Sequence, residues 1–208
     1  GLEWVRESGL LMSPIALTNT HSVGVVRDAL VAREVKVRGP GKLYWSMPHV
    51  GETWDGWLND MDGFHLKQEH LYAAMADLSA GPVAEGNVGG GTGMICHEFK
   101  GGIGTASRVV ETKSGAWTVG ALVQSNFGGV LQVDGLRVGE LLRRHYLREE
   151  LDRGDADGSV IIVLATDAPL SDRNLTRLAR RGLAGLARQP RQVAVGERRV
   201  GRQDNDHG

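Results

Sequence analysis

The chain has 208 residues, 24 of them basic and 25 acidic, for a formal net charge of −1. That balance gives no electrostatic case for nucleic acid or an anionic membrane as partner. No apolar run approaches the roughly 20 residues that span a bilayer. The length suits one domain with enough core to fold without staples, and a single cysteine, Cys96, cannot form an internal disulfide.

Taken in chain order, the apolar run at residues 15–18 predicts a strand, and residues 23–32 and 67–78 carry helical periodicity. Thirty glycines are many for this length, and they concentrate in residues 86–104, where backbone must approach backbone or a ligand. Strand-like runs follow at 117–123 and 160–165. A last helix is predicted over 170–186, starting near Ser171-Asp172, with Leu175, Leu178, Ala179 and Leu183 on one stripe and Arg177, Arg180 and Arg181 facing away. No repeat or long linker divides the chain, and the mixture of strands and helices argues for a layered α/β domain. From Gln189 onward apolar periodicity is lost, which reads as a disordered tail.

Gly158-Ser159 stands at the threshold of the apolar run Val160 to Ala165, after an acidic approach over 149–157. Locally, Gly-Ser before a strand reads as a turn. It also permits chemistry: the Ser159 hydroxyl could attack the Gly158 carbonyl, which glycine leaves open. Cleavage would free an α-amino group, ordinarily of pKa roughly 7.7–8.0, as base for the same hydroxyl. The tract Gly86 to Gly93 completes neither Gly-x-Gly-x-x-Gly nor a phosphate loop. It is either a glycine turn entering a helix or a backbone wall of an active site. Metal patterns fail: His97-Glu98 lacks a second histidine at Gly101, and His65 and His70 are only loosely co-facial. Asp155-Ala156-Asp157-Gly158 would start a calcium loop at Arg153 and end it at Leu164. His21 and His49 are candidates for a Ser-His-Asp triad, but neither has a spacing that ties it to a serine. Asn126, in Ser-Asn-Phe-Gly-Gly, is a turn former whose amide can also donate to an oxyanion. Glu52-Thr53-Trp54-Asp55-Gly56 reads as a solvated turn with an aromatic anchor.

Several ordered blocks resemble the L-aminopeptidase/D-esterase family, the DmpA-type and β-aminopeptidase enzymes. They are Thr18-Asn19-Thr20-His21-Ser22-Val23-Gly24-Val25-Val26, Gly51 to Gly56, Glu85 to Met94, Gln124 to Gly128, and Gly158-Ser159 with its strand and Ala165-Thr166-Asp167-Ala168-Pro169. The resemblance implies a four-layer α-β-β-α sandwich of the DmpA/ornithine acetyltransferase type, incomplete at both ends. Residues 1–188 would form a partial self-processing aminopeptidase domain, and 189–208 an atypical tail, disordered or frame-shifted. It implies self-cleavage between Gly158 and Ser159, Ser159 as nucleophile and Asn126 as oxyanion donor. Glu52 would hold the substrate ammonium, and Trp54 would line the pocket where some relatives have tyrosine.

Relatives place a Ser-Gly-Glu/Asp element downstream of the nucleophile. That spacing falls here on Glu197 and Arg199, and Val195-Gly196-Glu197 is the local echo, with Glu197 as supporting acid. The implied substrates are short peptides, amino-acid amides or esters, with no cofactor and no metal. A homo-oligomer is implied, as is a cytoplasmic location, with the periplasm as alternative. A chain lacking the family's outer strands and supporting element is expected to be inactive or barely active. The alternatives are an acyltransferase of the ornithine acetyltransferase type, whose nucleophile is normally threonine, and an unprocessed non-catalytic domain.

Overall fold

The computed structural model describes residues 1–143 and 158–187. After a short helix α1 (Leu2–Ser8), β1 (Ile15–Asn19) and β2 (His49–Thr53) pair in parallel, with Thr18 beside Glu52 and Asn19 beside Thr53. A parallel pair needs a crossover, and α2 (Val23–Arg38) supplies it. Val26, Ala29 and Leu30 recur at helical spacing and close over the strands. Leu71 of α3 (Gln68–Ala76) completes this core, with Ala16 and Val50 contributed by the sheet. The helix expected over 23–32 runs on to Arg38 and stops at Gly39, whose φ of +76° an L side chain rarely adopts.

The second sheet is antiparallel, in the order β5 (Gly102–Thr112), β6 (Gly115–Phe127), β7 (Gly158–Thr166). The expected strands at 117–123 and 160–165 are its inner parts, and β5 is an element the periodicity did not announce. Along β7 the side chains alternate between two neighbours. Ile161 lies against Gly51 of β2, while Ile162 and Leu164 lie against Gly182 of α5 (Asp172–Ala187). Gly182 thereby sets the rotation of α5: Leu178 and Leu186 are half-buried with it, but Leu175 and Leu183 of the expected stripe are exposed. The stripe is corrected because the helix seats on the residue with no side chain in the way.

Between the sheets runs the glycine tract. Gly89–Gly91 makes one 3₁₀ turn and leads into β3 (Ile95–Cys96) and β4 (Phe99–Lys100), so the helix-entry alternative is realised only as that single turn. A Cβ on Gly91 would stand 2.8 Å from the Gly102 Cα, and one on Gly102 would stand 2.1 Å from the Gly86 oxygen. The β3–β4 hairpin turns on His97 and Glu98, with φ of 51° and 69°, a pair of left-handed residues where Asn-Gly is the usual choice. It is held down by the His97 N–H, which donates to the Phe127 oxygen at 2.9 Å. Among the described residues, the remaining α-helix, α4 (Val138–Leu141), is a single turn.

Two expectations follow. Gly102→Ala adds a clash with backbone to a strained φ of +117°, and should lower stability by about 2–4 kcal/mol. Gly104→Ala, in the same strand with open space around it, should be close to neutral, and thermal melts of the two variants check the contrast. The second concerns His97, whose imidazole burial pushes below the ordinary histidine range, opposed in part by hydrogen bonding to the Gly129 and Gly128 backbone. Below the ordinary histidine value of 6.5 the unfolded chain then binds more protons than the native one, so stability falls as pH drops from 6.5 toward the depressed native pKa. His97→Asn tolerates the left-handed turn and carries no titrating ring. It should flatten that part of the curve in denaturant melts run between about pH 4 and 7.

Candidate active site

The seam between the two sheets is polar where a core would ordinarily be apolar. Gln124 of β6 has no exposed surface, and its Nε2 donates to the Thr53 hydroxyl at 2.7 Å and to the Thr18 oxygen at 3.5 Å. The Thr53 hydroxyl in turn donates to the Met94 sulfur at 2.8 Å. Two residues along the same face of β6 stands Asn126, and its register partner on β7 is Ser159. By alternation Ser159 shares the face of Ile161, the side turned toward β1 and β2.

Asn126 is held at both ends of its amide. The Ile95 N–H donates to its Oδ1 at 3.0 Å, and its Nδ2 donates to the Trp54 oxygen at 2.7 Å. The second Nδ2 hydrogen is directed at the Ser159 hydroxyl, 3.4 Å away, a long and weak contact. Ser159 and Asn126, named from sequence, are therefore brought together, with the Trp54 backbone as third member. Gly158 is exposed at the start of β7, opposite Phe127.

The corner that presents Trp54 is built on Asp55, 3% exposed, whose carboxylate accepts from the Asn19 amide at 3.0 and 3.2 Å and from Asn59 at 2.8 Å. The Trp54 indole is 42% exposed and meets Trp57 edge to face at 5.9 Å, while its backbone carbonyl is the group that meets the Asn126 amide. Glu52 is placed differently. Alternation along β2 puts its side chain on the Val50 side, at the rim of the sheet, where the Thr20 hydroxyl donates to its Oε2 at 2.5 Å. Its hydrogen-bond partner is thus Thr20 and not a member of the Ser159 group.

The other expectations sort plainly. His49 begins β2, about 13 Å along the strand from Thr53, and burial pushes its pKa down. His21 pairs with Asp62 at 3.1 Å and stacks on Phe64. Neither serves Ser159. His65 pairs with Asp60 at 3.0 Å, and His70 accepts the Lys67 N–H at 2.8 Å as part of a helix cap. Cys96 faces Ser125 on the far side of β6, and burial pushes its thiol pKa up, away from nucleophilic chemistry. Glu197, the tail over 189–208, and Asp155 and Asp157 lie outside the described residues. Residues that sequence reasoning missed are Thr53, Asp55, Asn87 and Gln124. For Gln124 and Asn87 the signal was weak, a polar side chain inside an apolar strand and an asparagine inside a glycine tract. Thr53 and Asp55 stand in the stretch expected as a solvated turn, which is corrected because both are buried, Thr53 at the end of β2 and Asp55 under the amides of Asn19 and Asn59.

The chain matches Peptidase family S58 over residues 1–197. It is 51% identical over 200 residues to the β-peptidyl aminopeptidase BapA of Sphingosinicella microcystinivorans, which covers 90% of this chain and 50% of that protein. Among solved structures it is similar to a Burkholderia sp. β-aminopeptidase (57% identity, TM-score 0.78, covering 90% of this chain and 51% of that one). It is also similar to the L-aminopeptidase D-Ala-esterase/amidase from Ochrobactrum anthropi, described as a prototype of the serine aminopeptidases and a variant of the Ntn hydrolase fold (42% identity, TM-score 0.79, covering 90% and 52%). The chain spans about half the length of the relatives it matches, and its mixed helix-and-sheet fold is theirs. On the extent of that match, this chain belongs to peptidase family S58.

Proposed function

We propose that this chain carries the catalytic core of a self-processing serine aminopeptidase acting on short peptides, amino-acid amides or esters. The observation that carries the reading is the register pair Ser159–Asn126, with the Asn126 amide aimed at the hydroxyl and Gly158 exposed beside it. The contacts of α2 on β1–β2, of Gly51 on Ile161 and of Gly182 on β7 fit a four-layer α-β-β-α sandwich, which we include in the proposal. Its site then lies in the seam between the middle layers. The relatives are aminopeptidases, and nothing favours the acyltransferase or the non-catalytic alternative.

Processing comes first. The Ser159 oxygen adds to the Gly158 carbonyl carbon, the C–N bond breaks and its nitrogen takes the hydroxyl proton. Water then hydrolyses the resulting ester. Ser159 is left with a free α-amino group, ordinarily of pKa roughly 7.7–8.0, able to take the proton from its own hydroxyl. In the second reaction that hydroxyl adds to the substrate's carbonyl, and the Asn126 Nδ2 stabilises the oxyanion. The amine departs with the proton, and water releases the acyl group. An oxyanion donor of this type contributes about 10²–10³ in rate. Trp54 supplies an apolar wall, and Glu52 at the neighbouring rim would meet the substrate's ammonium, with Thr20 holding the carboxylate in place. Glu197 is proposed as supporting acid.

Two experiments test this in the full coding sequence that contains the chain. The parent should split between Gly158 and Ser159, and Ser159→Ala should stay whole; equal intact masses for both would overturn the reading. Glu52→Gln should cost roughly 2–5 kcal/mol in kcat/KM on amino-acid amides, with free-amine substrates affected most. Unchanged turnover of amino-acid p-nitroanilides would remove Glu52 from the site and leave the nucleophile assignment standing.

A further inference from the structure

The Asn126 amide has two orientations, and only one points a hydrogen at Ser159. A flipped amide would set its oxygen against the Trp54 carbonyl and its NH₂ against the Ile95 N–H, two like-with-like contacts in place of two hydrogen bonds. The Ile95 N–H and the Trp54 carbonyl therefore decide together which way the amide faces. That N–H belongs to the same peptide unit as the Met94 carbonyl, and a peptide unit is planar, so fixing the carbonyl fixes the N–H.

The Met94 carbonyl is held from two sides. The Gly101 N–H donates to it at 2.8 Å, and the Asn87 Nδ2 donates to it at 3.0 Å. The same Nδ2 reaches the Gly91 oxygen at 3.0 Å and the Gly101 oxygen at 3.3 Å, while the Asn87 Oδ1 accepts the Gly93 N–H at 2.9 Å. One side chain thus ties Gly91, Gly93 and Met94 of the loop that ends in the Met94–Ile95 peptide to one another and to Gly101 beyond the hairpin, its two Nδ2 hydrogens shared among three carbonyls. Met94 itself has no exposed surface, so the unit it leads sits in packed surroundings.

Resting on the serine aminopeptidase reading, we infer that Asn87 is a positioning residue for the oxyanion donor. It clamps the Met94–Ile95 peptide, the Ile95 N–H orients the Asn126 amide, and the amide then presents its hydrogen where charge develops during both self-cleavage and hydrolysis. Asn87 touches neither Ser159 nor substrate; it acts through Asn126.

The test is a double-mutant cycle in the full coding sequence that contains the chain, read on an amino-acid p-nitroanilide and on the rate of splitting at Gly158-Ser159. Asn87→Asp keeps the acceptor for the Gly93 N–H and turns the donor toward three carbonyls into a further acceptor. It should lower kcat and the splitting rate by about 10–10²-fold, with KM within about twofold of the parent. In an Asn126→Ala background the same change should add less than about a twofold loss, because the route from Asn87 to the oxyanion is already cut. Asn87→Ser, which retains one donor, should fall between parent and Asn87→Asp, and it carries the same cycle if the aspartate variant does not fold. Unchanged kcat in a folded Asn87 variant, or equal losses in both backgrounds, would overturn the inference. A parent that neither splits nor hydrolyses would instead overturn the aminopeptidase reading, so the two failures are distinguishable.

Discussion

The buried hydrogen bond from Gln124 to Thr53 is the tie on which the rest of the structure depends. It joins β6 of one sheet to β2 of the other in a seam with no solvent contact at either residue. An amide left unpaired there would cost about 1–3 kcal/mol, so the two strands are held in one relative setting instead of sliding on an apolar face. Everything downstream is counted from that setting. Two residues along β6 is Asn126, one residue beyond Thr53 is the Trp54 carbonyl, and the partner of Asn126 across the ladder is Ser159.

Period-two alternation then explains why the nucleophile lies inside the seam. Ile161 must face β2 because Gly51 opens the space for it, and Ile162 must face α5 because Gly182 does the same there. Ser159, two residues before Ile161, has no choice of face. A one-residue slip of β7 would turn Ser159 toward the helix and Gly158 inward, so register is a condition of the chemistry as much as of the packing. The same rule explains the position of Glu52. It falls between Gly51 and Thr53, both turned inward, and so emerges at the rim beside Thr20.

How much of this could be read from the sequence follows from which forces set each element. β7 and α2 were legible because burial on one face or both prints a hydrophobic pattern. β5 was not: from Thr105 onward it is exposed, and its strand character comes from its eleven-residue ladder with β6 and not from side-chain burial. Ser159 and Asn126 were visible through the family's motifs. Gln124 and Asn87 stand inside two of those motifs, yet their roles were not legible, because an amide inside a strand or a glycine tract has no local signature of what it will bind. The stripe proposed for α5 had the right period but the wrong rotation, which only the empty side of Gly182 decides.

The glycines of residues 86–102 and the preorganised amide are two aspects of one arrangement. An oxyanion donor is effective when it is already aimed and needs no reorganisation as charge appears. Aiming an asparagine amide requires a backbone N–H on one side and a carbonyl on the other, at fixed places. Here the N–H comes from a loop pressed against β5 so closely that Gly91 and Gly102 admit no side chain. The carbonyl comes from a corner anchored by a buried aspartate. Larger residues in the tract would push the loop off the sheet, and the Ile95 N–H with it. Close backbone packing, which looks like a purely structural feature of a glycine-rich sequence, is in this fold the means by which one amide hydrogen is pointed at Ser159.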